Sequence, residues 1–273
     1  MTRLARWLVA VVSILGYAFV LSPLIVVLIA SLAGGQAHSV VFPPTSFSLE
    51  WYLRLPVEYF GPALASLGIA VGACLISGVL GVLAAFGLVR GRIPGRNLLR
   101  AYFSAPLQIP FVVTGIVFLQ FYYLIYGALG VRLLGSMWGL LGVHVFITLP
   151  YMIGTVAAVL ERFEPSLEEA ALTLGASRWS ALRRVTLPLI RPGVLAGALY
   201  SFVVSFGDVP ASMFVVSERT MTLPVQLFYA LEFDYSPALL ALCSLVVLLS
   251  MLLIFAVQRL LGFDLVLRGR PGW

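Results

Sequence analysis

Side chains that could carry out covalent or metal chemistry are scarce in this 273-residue sequence. It contains two histidines and two cysteines, and these do not fall beside carboxylates at the spacing of metal ligands. Cys74 and Cys243 lie inside apolar runs, where a thiol behaves as a small hydrophobic group. The 17 basic residues are all arginine, so a glycine-rich phosphate-binding loop, which requires a lysine, is excluded. We therefore predict no catalytic residue, metal site or cofactor in this chain.

One acidic residue, Asp208, falls well inside an apolar run. A charged side chain at the centre of a bilayer costs about 3 kcal/mol on insertion scales, so Asp208 should face protein or water. Ser205 and Ser212 have the spacing that places them on the same helical face as Asp208. We predict that Ser205, Asp208 and Ser212 either line a translocation path or hydrogen-bond to a neighbouring helix. His144 stands alone in another apolar run, which favours a buried packing role over a ligand role.

The segment 161–192 carries helical signals of its own between two apolar runs. The residues Ser166-Leu167-Glu168-Glu169 have the pattern of a capping box, which predicts a helix start. Gly175 can adopt the left-handed conformation that ends this helix after about two turns. Ser177 should cap a second short helix, which Pro188 limits. Because a two-turn helix is marginal alone, another surface must receive its apolar stripe. The stripe consists of Leu167, Ala170, Ala171 and Leu174.

Six long apolar runs must position these residues. The sequence is 61% hydrophobic and only 10% charged, with a mean hydropathy of +1.06, which excludes a soluble domain of this size. A hydrocarbon core roughly 30 Å thick requires about 20 apolar residues of helix. We predict an all-α integral membrane protein with about six transmembrane helices in a single domain, residues 1–273. The spans are predicted at Leu8–Leu32, Pro62–Val89, Ala101–Tyr126, Met137–Leu160, Gly193–Val216 and Pro237–Leu261.

Arginine is distributed unevenly between the two sides that six alternating spans would create. Three arginines, Arg54, Arg132 and Arg219, fall on one side, and the remaining fourteen of the 17 fall on the other. The positive-inside rule then places both termini and the segment 161–192 in the cytoplasm. The net charge of +6 is explained by this orientation, so we predict no binding of nucleic acid.

A fixed pattern within the segment 161–192 resembles the EAA loop of binding-protein-dependent ABC importers. The pattern is Glu169-Ala170-Ala171, three residues, Gly175, nine residues, and Val185-Thr186-Leu187-Pro188. The resemblance implies the type I importer permease fold and a coupling helix that docks on a cytoplasmic ATPase dimer. A membrane-surface helix is the alternative, but the first turn here is acidic, whereas such helices prefer basic residues. The docking contacts are expected at Glu168, Glu169, Ala170, Ala171, Leu174 and Gly175.

Further segments are similar to the permeases of the spermidine/putrescine branch. They include Phe47-Ser48-Leu49-Glu50-Trp51-Tyr52, Leu149-Pro150-Tyr151 and Ser205-Phe206-Gly207-Asp208. This resemblance implies a permease subunit in a bacterial inner membrane, with an external solute-binding protein and a second permease as partners. The branch favours a second permease of different sequence, while a pair of two identical chains stays open. The solute would be polyamine-like; ferric iron, opines, thiamine and phosphonates stay open because polyamine permeases often show two adjacent acidic residues where Asp208 stands alone.

Two rival classes have less support. An ion-coupled secondary transporter would be expected to show inverted repeats and several intramembrane carboxylates, and Asp208 alone fits that description. A membrane-embedded enzyme would need a cluster of ligating or catalytic side chains, which the two histidines do not provide. We therefore expect this chain to form the solute path, while a separate subunit hydrolyses ATP.

Overall fold

The computed structural model describes residues 3–34, 42–233 and 237–261, and most of these are helical. Six of the helical segments in this part of the chain are long and apolar enough to cross a membrane, which confirms the predicted number of spans and the all-α class. The segments are Ala5–Ala30, Val57–Arg90, Phe111–Leu129, Met137–Glu161, Arg178–Phe206 and Ala238–Ala256.

Eleven α-helices are assigned within the described residues, and some of the spans combine an α-helix with a short 3₁₀ or π segment. In chain order the helices are α1 (Arg3–Ala30), α2 (Glu50–Leu53), α3 (Phe60–Arg90), α4 (Arg96–Ser104), α5 (Phe111–Leu129), α6 (Met137–Glu161), α7 (Ser166–Thr173), α8 (Arg178–Ala181), α9 (Leu187–Phe206), α10 (Leu223–Phe233) and α11 (Pro237–Leu261).

The chain divides into two compact units. The first comprises Met1–Phe60 and Leu227–Leu252. Within it, the Tyr52 hydroxyl lies 2.6 Å from the hydroxyl of Ser31 and 2.6 Å from that of Ser244. Trp51 donates from its indole nitrogen to the Ala33 carbonyl at 3.2 Å. These bonds join the short helix α2 to the end of α1 and to α11.

The second unit comprises Gly61–Gln226 and Leu253–Trp273, and the close packing of α6 against α9 is at its centre. Small residues at every fourth position of α9 make this approach possible, because they let the two helix backbones come close. A methyl group added at Gly193 would lie 2.9 Å from the Thr155 carbonyl oxygen. The stripe consists of Gly193, Gly197, Ser201 and Ser205, all of them buried.

The third predicted span, Ala101–Tyr126, is wrong in its first third. The helix α4 stops at Ser104, a 3₁₀ turn follows over Ala105–Gln108, and the spanning helix α5 begins only at Phe111. Pro106 and Pro110 lack the amide hydrogens that a continuous helix would need, so the apolar run is broken there.

The fifth predicted span, Gly193–Val216, is shifted toward the C-terminus relative to the structure. The helix α9 ends at Phe206, and the backbone is irregular until a 3₁₀ turn begins at Ser212. The apolar composition continues past the break, which is why a run of hydropathy extends beyond the helix. Asp208 therefore lies after the end of the helix and not within it.

Candidate functional site

The helix α7 begins at Ser166, but the predicted capping box is wrong. Pro165 occupies the N-cap position, and no side chain caps this end of the helix. The amides of Glu168 and Glu169 both donate to the Pro165 carbonyl, at 3.0 and 3.1 Å. The helix thus starts one residue earlier than the capping box requires, so the amide of Glu169 does not bond to the Ser166 hydroxyl.

The end of α7 agrees with the sequence. Gly175 has φ +88°, the left-handed conformation that costs glycine nothing. Its amide donates to the Leu172 carbonyl and the Ala176 amide donates to the Ala171 carbonyl, both at 3.0 Å, which is the Schellman arrangement. The Ser177 hydroxyl then accepts a hydrogen bond of 3.2 Å from the Ser180 amide and caps α8, as predicted.

The second short helix does not stop at Pro188, as the sequence had suggested. From α8 the backbone continues through a π turn at Leu182–Thr186 directly into α9, where Pro188 lies in the first turn. The Leu187 amide donates to the Leu182 carbonyl, five residues back. A widened turn accommodates the proline because the ring no longer meets a carbonyl of an ordinary helical turn. The segment after α7 is therefore continuous with the fifth span.

One face of α7 and the start of α8 presents apolar side chains to the surroundings. Leu174 is 88% exposed, Trp179 68% and Leu167 48%. Glu169 and Ala170 are also exposed, and Ala171 is half-buried. Within the described part of the chain, the predicted stripe is therefore covered only in part, at Ala171 and on one side of Leu167. An exposed apolar patch beside an acidic residue, on a short helix between two spans, is a surface suited to a partner protein.

Glu168 differs from its neighbour Glu169 because it is held within the chain. Its carboxylate oxygen Oε2 lies 2.5 Å from Nη1 of Arg90, the last residue of α3. Both side chains are partly exposed, at 30% for Arg90 and 24% for Glu168, so water screens the pair. The sequence reasoning grouped Glu168 with the docking residues and missed Arg90, which lies 78 positions away.

The three predicted path residues meet in a buried hydrogen-bond network. Asp208 is only 4% exposed, and its Oδ2 accepts from the Ser212 hydroxyl at 2.7 Å and from the Ser212 amide at 2.8 Å. The Ala211 amide donates to Oδ1 at 3.4 Å. Hydrogen bonds to a charged group contribute about 1.5–3 kcal/mol each, which offsets the cost of burying this carboxylate.

His144 joins the two sides of the break that follows α9. Its Nδ1 lies 2.7 Å from the hydroxyl oxygen of Ser205, before the break, and its Nε2 lies 3.0 Å from that of Ser212, after it. Since the Ser212 hydroxyl donates to Asp208, its oxygen is left to accept from Nε2, and in the tautomer with the hydrogen on Nε2 the other ring nitrogen, Nδ1, accepts from the Ser205 hydroxyl. The buried packing role predicted for His144 is confirmed. The sequence did not predict that the ring would connect Ser205 and Ser212 across the break.

The network continues deeper along α6. The Thr148 hydroxyl donates to the His144 carbonyl at 2.7 Å and lies 2.7 Å from the Ser77 hydroxyl of α3. Ser201 of α9 donates to the Thr148 carbonyl at 3.4 Å. The burial of Ser205, Asp208 and Ser212 agrees with the predicted alternative that they hydrogen-bond to a neighbouring helix. The three residues do not share a continuous helix face, because α9 ends at Phe206. Their direct contact with solute stays a prediction.

Comparison with known proteins identifies the family. The model of the binding-protein-dependent transport system inner membrane component family matches residues 77–265. The sulfate transport system permease protein CysT of Escherichia coli K12 is 34% identical over 198 residues, covering 69% of this chain and 71% of that protein. The spermidine/putrescine transport system permease protein PotC of the same strain is 30% identical over 244 residues, 89% of each chain.

Solved structures support the same fold. A bacterial ABC transporter that imports the acidic polysaccharide alginate aligns over 95% of this chain and 98% of its own, with a TM-score of 0.68 and 20% identity. The alginate transporter in complex with its pentasaccharide-bound periplasmic protein aligns over 94% and 93%, with a TM-score of 0.68 and 14% identity. The match over most of the chain, the six spans and the relatives together show that this protein belongs to the binding-protein-dependent transport system inner membrane components, the multi-pass permease subunits of ABC importers.

Proposed function

We propose that α7 is the surface through which this permease receives the motion of a cytoplasmic ATPase dimer. The exposed stripe of α7 carries this proposal, because Leu174, which directly follows the last residue of α7, is 88% exposed and the helix is too short to be stable alone. Beside the stripe, Glu169 is exposed and available to a basic group of the partner. Gly175 ends the helix in a fixed turn, which orients the stripe relative to α9. Family membership favours this arrangement over an ion-coupled secondary transporter.

A cross-linking experiment tests the docking surface. Leu174→Cys is placed in a chain whose native cysteines are replaced, Cys74→Ala and Cys243→Ala, and the chain is co-expressed with its cognate ATPase. A bifunctional thiol reagent should link Leu174→Cys to a cysteine introduced in the ATPase groove. Leu98→Cys on α4 is the matched control, since Leu98 is 75% exposed and also lies in a predicted cytoplasmic segment. Equal linking at both positions would contradict the assignment.

A charge reversal tests the role of Glu169 in the working assembly. Glu169→Lys should lower hydrolysis stimulated by the binding protein by roughly tenfold, because a charged hydrogen-bonded contact at an interface is replaced by repulsion. Glu164→Lys is the control, since Glu164 is exposed in the same loop but lies outside α7. The proposal fails if both variants keep the stimulated rate of the wild type.

We also propose an orientation in the membrane and two further partners. Both termini lie in the cytoplasm of a bacterial cell with an inner membrane, because fourteen of the 17 arginines fall on that side of the predicted spans. A second permease of different sequence completes the path, and an external binding protein delivers the solute. Reporter fusions at the C-terminus test the orientation. Co-purification of a tagged chain with an untagged copy of itself would instead indicate two identical permeases.

The proposed solute is an organic cation of the polyamine class. Support comes from two polyamine permeases of Escherichia coli K12, since PotC and the putrescine permease PotI align over 89% and 86% of this chain. The sulfate permease CysT is more identical but aligns over 69%. Uptake by the reconstituted importer should be seen with labelled spermidine or putrescine. Uptake of sulfate without polyamine uptake would refute this choice; ferric iron, thiamine, an opine and a phosphonate complete the test panel.

A further inference from the structure

Arg90 is placed where three segments of the permease meet. It is the last residue of α3, and its Nη1 lies 2.5 Å from Oε2 of Glu168 in α7. Its guanidinium carbon lies 5.4 Å from the ring centre of Phe86, one turn earlier in α3. The same carbon lies 4.8 Å from the ring centre of Phe163, in the turn that joins α6 to α7. One side chain therefore contacts α3, α7 and the connection between α6 and α7.

The contacts of Arg90 restrict the orientation of its guanidinium group. A guanidinium attracted by two aromatic faces has its plane restricted, so less side-chain entropy is lost when it also binds a carboxylate. Its position at the C-terminal end of α3 adds a favourable interaction with the partial negative charge of the helix. Partly exposed ion pairs alone contribute little, and the two rings distinguish this pair from an ordinary surface pair.

The helix α7 needs such a contact. It has eight residues, its N-terminus has no side-chain cap, and its apolar stripe is exposed. A helix of this length is marginal in water, so its position depends on what it touches. The turn at Gly175 fixes its far end relative to α8, whereas the Arg90–Glu168 pair fixes its near side relative to α3.

We propose that Arg90 is a positioning residue that makes α7 and the cytoplasmic end of α3 move as one body, and that Glu168 serves this contact rather than the ATPase. The role rests on the proposed docking of α7. Motion received by α7 then reaches the second span directly, in addition to the continuous route through α8 into α9. Without the contact, α7 still binds the ATPase but moves without displacing α3, so that ATP is hydrolysed with less transport.

Charge exchange in the reconstituted importer tests the proposal. Arg90→Glu and Glu168→Arg should each capture the ATPase as the wild type does but hydrolyse roughly threefold more ATP per solute imported. The double exchange should recover only part of this ratio, because the opposite charges face each other again but a carboxylate at position 90 is not attracted by the rings of Phe86 and Phe163. Arg90→Lys, which keeps the charge but not the planar group, should fall between. Glu164→Gln is the control variant.

Two results would overturn the proposal that Arg90 positions α7. Single variants with the wild-type ratio of hydrolysis to transport would overturn the proposal. So would a double exchange that is as impaired as the worse single variant, since the effect would then not depend on the pairing of charges.

A second readout needs no ATPase and separates this proposal from the docking proposal. In the purified chain in detergent, trypsin cleavage after Arg178 should be roughly fivefold faster in Arg90→Glu than in Glu164→Gln, because α7 and the adjoining turn are less restrained. Equal cleavage rates would refute the positioning role even if docking is correct. Conversely, the wild type could capture no ATPase while Arg90→Glu is still cleaved faster. That result would refute the docking proposal and would support the restraint of α7 by the Arg90–Glu168 pair.

Discussion

Substitution of Gly197 by alanine should weaken the packing of α6 against α9. The added methyl carbon would lie 2.5 Å from the Thr155 hydroxyl, 2.6 Å from the Met152 sulfur and 3.1 Å from the Met152 Cα. Favourable carbon contacts are roughly 3.5–4.0 Å, so the two helices must separate locally. The Thr155 hydroxyl is held by the carbonyl of Tyr151 at 3.0 Å, and Met152 is 1% exposed, so neither side chain can move aside freely. Overpacking of this kind costs about 1–3 kcal/mol.

A matched control removes the intrinsic effect of replacing glycine in a helix. Alanine favours a helix over glycine by about 1 kcal/mol, and this gain partly offsets the clash. Gly154 lies within α6, and a methyl group there would meet no atom within 4 Å. Gly154→Ala should therefore be neutral or stabilising, and the difference between the two variants isolates the cost of the clash.

Reversible unfolding in mixed detergent micelles, followed by circular dichroism, measures this difference. The Gly197→Ala chain should unfold at a lower denaturant concentration than the wild type, and the Gly154→Ala chain at the same or a higher one. Separation of the helices should also weaken the hydrogen bond from Ser201 to the Thr148 carbonyl, which is already 3.4 Å long. If Gly197→Ala is as stable as Gly154→Ala, the close approach of α6 and α9 is refuted.

Two further substitutions test the site. His144→Ala should lower the free energy of unfolding by about 2–4 kcal/mol, because it leaves a cavity and removes the hydrogen bonds to Ser205 and Ser212 on the two sides of the break after α9. An unchanged unfolding curve would contradict the claim that His144 stabilises this break. Gly175→Ala should speed hydrogen exchange of the α7 amides, since a left-handed residue with a Cβ costs about 1–2 kcal/mol. Gly175→Asn, which tolerates that conformation better, should lie between alanine and wild type, and equal exchange in all three would exclude the glycine turn as the restraint.

Several features of the protein could be predicted because they depend on neighbouring residues. Hydropathy over about 20 positions identifies six spans, and four of them begin and end within a few residues of the predicted limits. The end of α7 at Gly175 and the cap at Ser177 are equally local, since each involves groups no more than five residues apart. The family pattern in the same segment can also be read from the sequence, since it lies within one continuous stretch from Glu169 to Pro188.

Two physical causes account for the misplaced spans and for the wrong start of α7. Hydropathy does not distinguish an apolar helix from an apolar break, so the third and fifth spans were placed across the interruptions at Pro110 and at Gly207–Ala211. A capping box and an N-cap proline also compete for the same first turn, and the spacing of residues alone did not decide between Ser166 and Pro165.

By itself the sequence determined the membrane class, the number of spans, the family and the position of the helix that we propose docks on the ATPase. Only the tertiary structure decided which polar groups meet. Arg90 and Glu168 are 78 positions apart, and His144 lies 61 and 68 positions from the two serines that it bridges. The spacing of residues along the sequence cannot predict such pairs, because their contact depends on how α3, α6 and α9 pack against one another. That packing depends in turn on small residues such as Gly193 and Gly197, whose effect is felt only across the interface.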